Sequence, residues 1–521
     1  GAGCGSCGPT QMRYAYNAIG QLVRATRLDD QGRAVASQLI QYDGFGRLVK
    51  LGRRDEANPK AAVQWVRRYE YRDMTMSDGR IGLAPKPHVI AQPSVIPGKE
   101  HTLRIDYNQA WQPTRVTEQG FSPLADDGTP TVQGTAIARA VTYRYTEVNG
   151  RSVLSEIDGP LPNGPTNSPA DADITRVQRD ENSRHITAVT YPMNQRVTLE
   201  RDDGGRVVRR IGVDSVVETL GYDVQGRVIE LRRAGLTLRL RYDSAGRLTT
   251  AQDALGQELR LEHDAGGRLV ALRDQQGNRI VWDYQGETAQ QMRLLNPDGT
   301  LDQRRLLQTA SEPTYEPSPV DSPRALDWPS PLPDQVDVRL VRLPPIATEV
   351  QAVLTVADEQ GRITTDRYDD FGQLVARDSP VTGRTAFRYD LSGALVERIA
   401  ADKGAVRIVR DAAGRPIRVM ADGEDARIEW GRANKPVRIR YREGEERFEY
   451  DAQARLVAHV QVVDGRQWSV RYSYDDAGRL VRKTTPGGQE LGYRYNGSQH
   501  PKPGLLSGIY LDGILDAPIV T

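Results

Sequence analysis

The chain has 521 residues, of which 38% are hydrophobic and 27% charged, and its 70 Lys plus Arg residues against 69 Asp plus Glu give a net charge of +1. Both signs are interspersed, which disfavours a nucleic-acid partner, and the apolar runs fall short of the roughly 18 residues of a membrane-spanning helix. Tyrosine (22) far outnumbers phenylalanine (5), which suits a thin sheet layer with water near both faces better than a thick dry core.

The N-terminal residues Gly1 to Pro9 contain one CxxC pair, Cys4 and Cys7, and lack the charged and apolar regions of a signal peptide. A structural zinc site needs four ligands, and the sequence has no second CxxC and no paired histidines. A thioredoxin-like redox motif needs a βαβ context, which is also missing. The favoured interpretation is therefore a loop or a local disulfide.

The dominant feature of the chain is a short string, Tyr-Asp-x-x-Gly, that recurs about every 20 to 22 residues. Arg, Gln or Ala follows the glycine, and then Leu or Val. Relaxed copies begin at Tyr16, Asp202, Asp264, Asp411 and Tyr450. The complete copies are Tyr42-Asp43 with Gly46, Tyr222-Asp223 with Gly226, Tyr242-Asp243 with Gly246, Tyr368-Asp369 with Gly372, Tyr389-Asp390 with Gly393, and Tyr474-Asp475 with Gly478.

The residue types of this motif predict a tight β-hairpin turn. Aspartate at the first position of a type I turn accepts hydrogen bonds from the turn amides, and glycine three residues later can take the left-handed conformation of a G1 bulge. The flanks alternate apolar and polar residues, as at Leu236, Leu238 and Leu240, which predicts strands. The expected fold is all-β, a long antiparallel sheet of repeated β-hairpins. Because strand twist accumulates, we expect it to coil into a spiral shell or barrel.

The repeat tyrosines occupy the same place in successive hairpins. We therefore expect them to share one face, to contact their counterparts in neighbouring repeats and to be largely buried at the ring. His263 stands where a repeat tyrosine belongs and is interpreted as a structural substitution.

Two proline-rich stretches interrupt the pattern. The first, Pro85 to Gly98, is predicted to be an extended excursion from the sheet. The second, Glu312 to Pro345, carries nine prolines and cannot be a central strand, because proline lacks a donor for the ladder. It is either a linker between two repeat blocks or a loop lying across the sheet. The loop is favoured, since a continuous sheet must resume directly.

These breaks predict three segments along the chain. The first repeat block spans 10–300, the proline-rich linker or crossing loop spans 301–350, and the second repeat block spans 351–521. The chain stops inside an apolar, strand-like run from Ile514 to Val520, so the second block is expected to be truncated.

No candidate catalytic or metal-binding constellation emerges from the sequence. A catalytic pair needs two carboxylates converging in one pocket, whereas the motif aspartates recur at every hairpin and indicate turn chemistry. Neither Gly204-Gly205 nor Gly266-Gly267 has the strand–glycine–helix context of a phosphate loop. We therefore expect no cofactor, no metal and no enzymatic activity. The histidines are scattered without ligand spacing: His88, His101, His185, His263, His459 and His500.

The Tyr-Asp-x-x-Gly-Arg-Leu unit and the segment Leu154 to Pro160 resemble the YD repeats of bacterial Rhs proteins. The wider group includes the C components of ABC-type toxin complexes and the animal teneurins. The resemblance runs from about Tyr14 to Tyr495 and implies a β-shell, often a hollow cocoon that encloses a toxic C-terminal segment until delivery. The self-cleaving core module and the β-propeller partner domain of such toxins have no counterpart in this sequence.

The resemblance implies the structural shell of a protein that is secreted or lies on the bacterial cell surface, in virulence or bacterial competition. Its partners would be its own C-terminal toxin segment and a shell-closing or secretion-apparatus protein. The alternative is a cell-surface adhesin or wall-associated scaffold, in which the sheet serves as a spacer or ligand surface. A self-cleaving core and a toxin after Thr521 would favour the shell, and an anchor or signal would favour the adhesin.

Overall fold

The computed structural model is built almost entirely of β-strands. Its only helical element among the described residues is a single 3-10 turn, Pro192–Asn194. The predicted all-β class, with long antiparallel sheets of repeated hairpins, is confirmed. The structure describes residues 11–306, 353–497 and 506–511, apart from residues 30, 59, 76–78, 126, 163–171, 183, 286–287, 358–359, 402 and 432–433.

The strands divide at the long proline-rich stretch. Those before it are β1 (Gln11–Tyr16), β2 (Leu22–Leu28), β3 (Ala34–Tyr42), β4 (Leu48–Asp55), β5 (Gln64–Glu70), β6 (Met74–Thr75), β7 (Ile81–Gly82), β8 (Val89–Pro93), β9 (Glu100–Tyr107), β10 (Pro113–Leu124), β11 (Pro130–Val148), β12 (Arg151–Asp158), β13 (Ile174–Arg179), β14 (Ile186–Tyr191), β15 (Gln195–Arg201), β16 (Val207–Ile211), β17 (Val217–Tyr222), β18 (Val228–Arg233), β19 (Leu236–Tyr242), β20 (Leu248–Asp253), β21 (Glu258–His263), β22 (Leu269–Arg273), β23 (Arg279–Gln285), β24 (Thr288–Leu295) and β25 (Leu301–Leu306). Those after it are β26 (Val353–Ala357), β27 (Ile363–Tyr368), β28 (Leu374–Ser379), β29 (Gly383–Tyr389), β30 (Leu395–Ala400), β31 (Gly404–Arg410), β32 (Pro416–Ala421), β33 (Glu424–Trp430), β34 (Pro436–Arg440), β35 (Gly444–Tyr450), β36 (Leu456–Val463), β37 (Arg466–Tyr474), β38 (Leu480–Thr484), β39 (Glu490–Tyr495) and β40 (Leu506–Leu511).

The motif makes the hairpins because it ends one strand and begins the next. Between β19 and β20, the Asp243 N–H donates to the Arg247 carbonyl at 2.9 Å, and the Gly246 N–H donates to the Asp243 carbonyl at 3.0 Å. The strand register shifts between Arg241 and Tyr242, as a bulge requires. Gly246 has a φ of 82°, in the left-handed region that favours glycine. The other complete motifs also have a positive-φ glycine: Gly46, Gly226, Gly372, Gly393 and Gly478.

The described residues fall into two compact units. Unit 1 takes its residues from Gly1–Val177, Tyr191–Asn194 and Tyr315–Gly423, and unit 2 from Gln178–Thr190, Gln195–Thr314 and Glu424–Thr521. In unit 1, neighbouring strands pair antiparallel in succession, except that β6 and β7 form their own ribbon and β5 pairs with β8. In unit 2, successive antiparallel pairs run through β15–β25 and through β33–β40.

The core lies mainly in unit 1. Unit 2 has fewer fully buried apolar side chains, among them Val189, Ala271 and Ala458, and most residues of its repeat strands are half-buried or exposed. A thin layer of this kind fits the low apolar content of the chain. The fully buried side chains of unit 1 include Ala25, Tyr69, Leu103, Val116, Val141, Leu154 and Ile157.

The predicted excursion at Pro85 to Gly98 is wrong for its central part. Strand β8 pairs with β5 on one side and β9 on the other, and its first four residues are buried. Prolines are tolerated here because they leave the amide donors of Val89 to Gln92 in place. They lie before the strand, at its last residue or in the turn that follows: Pro85, Pro87, Pro93 and Pro97.

The second break coincides with the gap between β25 and β26. Residues 307–352 lie outside the described residues, so the linker or crossing loop over 301–350 stays a prediction, as do the block boundaries 10–300 and 351–521. Each compact unit draws strands from both sequence blocks. Cys4, Cys7 and the run from Ile514 to Val520 also lie outside the described residues.

We expect Gly46→Val to lower the free energy of unfolding by about 1 to 3 kcal/mol, because a β-branched side chain is strained at the 81° φ of Gly46. Gly44, in the same turn, is the matched control, since its φ is not positive and an added Cβ would meet nothing within 4 Å. Gly44→Val should change the stability by less than about 0.5 kcal/mol in chemical denaturation. Equal losses at the two positions would contradict this turn geometry.

Candidate functional site

The recurring polar site of the chain is the turn itself, whose aspartate is bonded in the same way in most copies. Asp223 Oδ1 accepts hydrogen bonds from the backbone N–H groups of Gln225 at 3.0 Å and Arg227 at 2.9 Å. Its Oδ2 accepts from Arg227 Nε at 2.7 Å, a charge-assisted bond. The same Asp–Arg bond recurs at Asp29–Arg33, Asp43–Arg47, Asp202–Arg206, Asp243–Arg247, Asp264–Arg268, Asp411–Arg415, Asp451–Arg455 and Asp475–Arg479.

The turn arginine also reaches the next repeat. Arg227 Nη1 donates to the Asp243 carbonyl at 3.3 Å, and its guanidinium lies 4.8 Å from the ring centre of Tyr242. Tyr242 donates its hydroxyl to the Val228 carbonyl at 2.8 Å. Successive turns are therefore joined by hydrogen bonds to the main chain and by a cation–π contact. That contact is repeated at Arg206–Tyr222, Arg268–Tyr284, Arg455–Tyr474 and Arg479–Tyr495.

The predicted tyrosine ladder is therefore wrong in its contacts. In these repeats the tyrosine ring lies against the arginine of the preceding turn and not against the preceding motif tyrosine. Equivalent tyrosines are two strands apart, about 10 Å, whereas an arginine between them spans part of that distance. The larger part of each motif tyrosine is removed from solvent, which agrees with the expected burial: Tyr222, Tyr242, Tyr368, Tyr389, Tyr450, Tyr474 and Tyr495.

The arginines also keep the turn carboxyls ionised. At Asp264 the side-chain hydrogen bond from Arg268, and then the Arg268 backbone N–H, hold the pKa below its usual value. Asp202 has its pKa lowered in the same way by Arg206. These turns are therefore weakened only in acid, when their carboxylates are protonated.

The turn at Asp369 departs from this pattern. Gln373 stands where most turns have arginine, and Asp369 is only 1% exposed. Its Oδ1 still accepts the backbone N–H groups of Phe371 at 3.0 Å and Gln373 at 2.8 Å. Burial raises the pKa of Asp369 to about 7, despite these hydrogen bonds and the positive charge of Arg139. This carboxyl therefore changes its charge near neutral pH, unlike its counterparts.

The adjacent Asp370 joins the same turn to two other parts of unit 1, the turn after β8 and strand β10. Its Oδ2 accepts Ser94 Oγ–H and the Phe121 N–H, both at 2.7 Å, and its Oδ1 accepts the Val95 N–H at 2.6 Å. These bonds join residues 249 to 276 positions apart. Gly120 permits the approach, because a Cβ there would lie 2.7 Å from the Asp370 Cβ. The carboxylate is buried but satisfied, as buried charges must be.

Phe371 of this turn contacts a buried ionic group. Its ring lies edge-on to His101 at 5.4 Å, and the guanidinium of Arg139 lies 4.4 Å from its centre. Glu118 joins the two, with His101 Nε2 at 2.8 Å from one oxygen and Arg139 Nε at 2.7 Å from the other. All three polar residues are at most 4% exposed. The three side chains therefore form a buried, mutually bonded polar group that packs against the turn.

A cavity of about 220 Å³ lies beside this turn, within unit 1. It is bounded by the end of β10, by β11, by the Asp369 turn with β28, and by β29 with the turn that follows it. Its ionisable lining residues are Arg139, Asp369, Arg388, Tyr389 and Asp390. Two successive motifs, the one at Asp369 and the one at Asp390, therefore meet at one cavity.

Sequence reasoning assigned all the motif aspartates to turns and found no converging pair. Two of them, Asp369 and Asp390, line the same cavity. The other motif aspartates bond within their own turns. The available signal was the replacement of arginine by Gln373 and Ala394 in consecutive motifs. The roles of Asp370, Glu118 and Arg139 carried no sequence signal, because their partners are far away along the chain.

Among the described residues, no group of His, Cys, Asp and Glu side chains is arranged to hold a metal ion. His459, like His101, pairs with a carboxylate, Glu446, at 3.0 Å. In the same part of the chain, no helix has the length and apolar character needed to cross a membrane.

Comparison with known proteins gives one family match. The family model described as RHS Repeat matches residues 222–258, 242–279, 459–490 and 474–500. These segments contain turns with the Asp–Arg bond described above, at Asp223, Asp243, Asp264 and Asp475. No curated protein matches the chain.

Among solved structures, the chain is similar to one of TcdB2-TccC3-TEV, with 13% identity and a TM-score of 0.34 over 98% of this chain and 25% of that chain. For TcdB2-TccC3 the identity is 13% and the TM-score 0.31, over 96% and 26%. For a Photorhabdus luminescens Tc holotoxin pore with a mutated TccC3 they are 12% and 0.27, over 98% and 27%. The chain thus spans about a quarter of the length of the solved chains that it matches.

We expect Tyr242→Phe to lower the free energy of unfolding by about 1 kcal/mol, because it leaves the Val228 carbonyl without its hydroxyl partner. Tyr242→Ala also removes a half-buried ring and should cost about 2 to 3 kcal/mol, less than for a fully packed ring. Tyr16→Phe is the control, since Tyr16 is 59% exposed and its hydroxyl bonds to none of the described residues. A Tyr16→Phe loss as large as that of Tyr242→Phe in chemical denaturation would contradict this role.

We expect Asp369→Asn to gain stability relative to the parent protein as the pH rises from 5 to 8. The folded pKa of about 7 lies above the ordinary 3.8, so between these values the folded protein holds a proton that the unfolded chain has lost. The stability that the protonated Asp369 contributes is therefore complete below pH 3.8 and is lost as the pH rises through 7. The relative gain between pH 5 and pH 8 should be about 2 to 3 kcal/mol in urea denaturation, since about two pH units separate pH 5 from the folded pKa.

The control is Asp264→Asn, whose parent carboxyl has a lowered pKa. Its stability contribution is present above pH 3.8 and lost only below it, so its difference from the parent protein should stay constant from pH 5 to 8. A constant difference for Asp369→Asn as well would show that Asp369 does not titrate in this range.

Proposed function

We propose that the chain is a structural wall of the Rhs/YD-repeat type that encloses a polypeptide segment and has no catalytic activity of its own. The RHS Repeat matches at residues 222–279 and 459–500 support this family assignment. The enclosed segment is proposed to be the C-terminal toxin or effector of the same protein, held until delivery by a secreted or cell-surface bacterial protein. A shell-closing or secretion-apparatus protein would complete the assembly.

The observation that carries this proposal is the repeated bond between successive turns. Arg227 bonds the aspartate of its own turn at 2.7 Å, the main chain of the next turn at 3.3 Å, and lies against Tyr242. A structural wall needs similar stability along its whole length, and it does not need a single active site. Bonding that is repeated turn after turn supports that role better than it supports a single active site.

The strand surfaces also suit contact with an unfolded or partly folded polypeptide. Arginines pair across strands with carboxylates, so that much of the surface between turns carries neutralised charge. Such a surface offers few apolar patches to which a polypeptide could adhere. Examples in unit 2 are Arg210–Glu218 at 2.9 Å, Arg279–Glu262 at 2.8 Å and Arg293–Asp283 at 2.8 Å.

The proposal that the chain is not an enzyme is supported by how two of its buried carboxylates are engaged. Asp370 accepts three hydrogen bonds from the protein, and Glu118 is shared between His101 and Arg139. A general base needs a lone pair within reach of a substrate proton. These groups instead hold strands and a turn together.

The test is limited proteolysis of the natural gene product. One recognition site for a specific protease is placed in the segment that follows Thr521, and another in the turn at Val224, which is 95% exposed. We expect cleavage at Val224 and protection of the following segment, because only the turn is accessible from outside the wall. Gly246→Val, which strains one turn at a φ of 82°, should make the following segment more susceptible.

Cleavage of the following segment at the same rate as the turn site, in folded protein, would overturn enclosure, and so would a gene product in which nothing follows. Either result would move the assignment to the adhesin or scaffold. Gly44→Val is the matched control for Gly246→Val, since its position has no positive φ and should leave protection unchanged.

A further inference from the structure

Two consecutive complete motifs lack the arginine that the other four complete motifs have, Arg47, Arg227, Arg247 and Arg479. Gln373 stands four residues after Asp369, and Ala394 four residues after Asp390. In the turn at Asp223, by contrast, the arginine at that position bonds the aspartate Oδ2 at 2.7 Å. The Asp369 and Asp390 carboxylates form no ion pair with any of the described residues.

The cavity of about 220 Å³ is lined by the two side chains that one of these arginines would contact. In a complete repeat, the Arg227 guanidinium fills the space between Asp223 of its own turn and the ring of the next motif tyrosine. The corresponding residues here, Asp369 and Tyr389, both line the cavity. Tyr389 also keeps the usual bond of a motif tyrosine, from its hydroxyl to the Leu374 carbonyl at 2.7 Å.

The size of the cavity suits one side chain. Its volume of about 220 Å³ is several times the roughly 30 Å³ that one water occupies. It is below the roughly 300 to 1,000 Å³ of pockets for drug-sized molecules. An occupant of this cavity is therefore a group of about the size of an amino-acid side chain.

The charges in the lining favour a cation. Its two guanidinium groups already have carboxylate partners, Arg139 with Glu118 and Arg388 with Glu397, each at 2.7 Å. Asp369, although 99% removed from solvent, uses only Oδ1, and its Oδ2 bonds to none of the described residues.

Gln373 does not replace the missing arginine as the partner of Asp369. Its amide nitrogen lies 3.0 Å from the point that a Cβ on Gly393 would occupy, so it is directed to the next turn. In the turn that begins with Asn17, Gln21 is directed in the same way, with its Nε2 bonded to the Gly46 carbonyl of the next turn at 2.8 Å. There the Asn17 amide donates to Gln21 Oε1 at 3.1 Å, a bond that an ionised Asp369 cannot make because it has no proton to donate. Because the Gln373 amide nitrogen is directed to the next turn, it does not donate to Asp369 Oδ2. This oxygen can therefore accept a hydrogen bond from a ligand.

We propose that this cavity binds a guanidinium group, which bonds Asp369 Oδ2 and lies against the Tyr389 ring in the place of the missing repeat arginine. The group belongs either to an arginine side chain of a polypeptide or to a small guanidinium compound. A guanidinium is favoured over an ammonium because its planar face stacks on an aromatic ring while its edge donates to a carboxylate. This site is independent of the proposed wall function.

Binding should depend on pH in a defined direction. A cation binds the ionised carboxylate, so the affinity should rise as the pH rises from 6 to 8, and binding should release protons. Asp390 is the other unpaired carboxylate at the cavity, and its charge adds to the attraction for a cation. The charged and titratable groups around Asp369 come from three parts of the fold. Strands β9–β11 supply Arg139 with Glu118 and His101, the end of β27 and the turn supply Tyr368 and Asp370, and β29 and its turn supply Arg388, Tyr389 and Asp390, with Glu397 of β30 paired to Arg388.

The experiment is calorimetric titration of the full chain with three probes: butylguanidinium, the blocked tripeptide N-acetyl-Ala-Arg-Ala-amide, and its lysine counterpart. We expect saturable one-site binding of at least one guanidinium probe and weaker binding of the lysine peptide. Binding of the arginine peptide alone would identify a polypeptide as the source, and binding of butylguanidinium alone would identify a small compound.

Two variants test the site, and one serves as a control. Asp369→Asn should weaken binding about tenfold or more by removing the charged acceptor, and Gln373→Arg should abolish it by supplying the guanidinium from within the chain. Asp243→Asn, in a turn that has its own Arg247, should leave binding unchanged. Unchanged binding in both test variants, equal binding of the lysine peptide, or no saturation at millimolar concentration would overturn the proposal. If Asp369→Asn does not fold, Gln373→Arg alone tests the proposal: loss of binding supports it, and unchanged binding overturns it.

Discussion

The described sheets depend on one constraint, the carboxylate that accepts two backbone N–H groups of its own turn. At Asp223 these bonds come from Gln225 and Arg227, and the glycine between them has a φ of 83°. Together they fix the residue at which each strand ends. Because side chains alternate between faces, a slip of one residue would move every apolar side chain of a strand to the wrong face. The turn therefore sets the faces of both strands that it joins.

The arginine that completes most of these turns extends the constraint from one hairpin to the next. Each such turn contributes one negative and one positive charge, which agrees with the near equality of 69 acidic and 70 basic residues in the chain. A single partly exposed pair of this kind contributes little to stability. The arginine contributes more because it also contacts the main chain and the tyrosine of the next repeat. Burial raises the pKa of Asp369, which has no such partner to offset it.

The sequence was sufficient to predict the hairpins, because their determinants lie within five consecutive residues. It was insufficient for contacts that cross strands. The tyrosines were expected to stack on each other, yet in a complete repeat Tyr242 lies against Arg227, since an arginine reaches across one strand and a tyrosine does not reach across two.

The cavity could be predicted only in part. The replacements at Gln373 and Ala394 are visible in the sequence, but their meaning depends on where the two turns lie in unit 1. The bonds of Asp370 to Ser94 and Phe121 join residues 276 and 249 positions apart, and no local pattern indicates such partners. Strand β8 was missed for a related reason, since the effect of a proline depends on which amide the ladder needs.

The self-contained turn also bears on how a gene of this kind changes length. Arg227 bonds its own turn and the next, and the same contacts recur at Arg455 with Tyr474. Excising the coding sequence for one whole hairpin would bring equivalent partners together, so the contacts would re-form across the junction. Excising a single strand would reverse the chain direction and leave the next turn at the opposite edge. Recombination between copies should therefore yield folded products only in steps of one hairpin, about 21 codons.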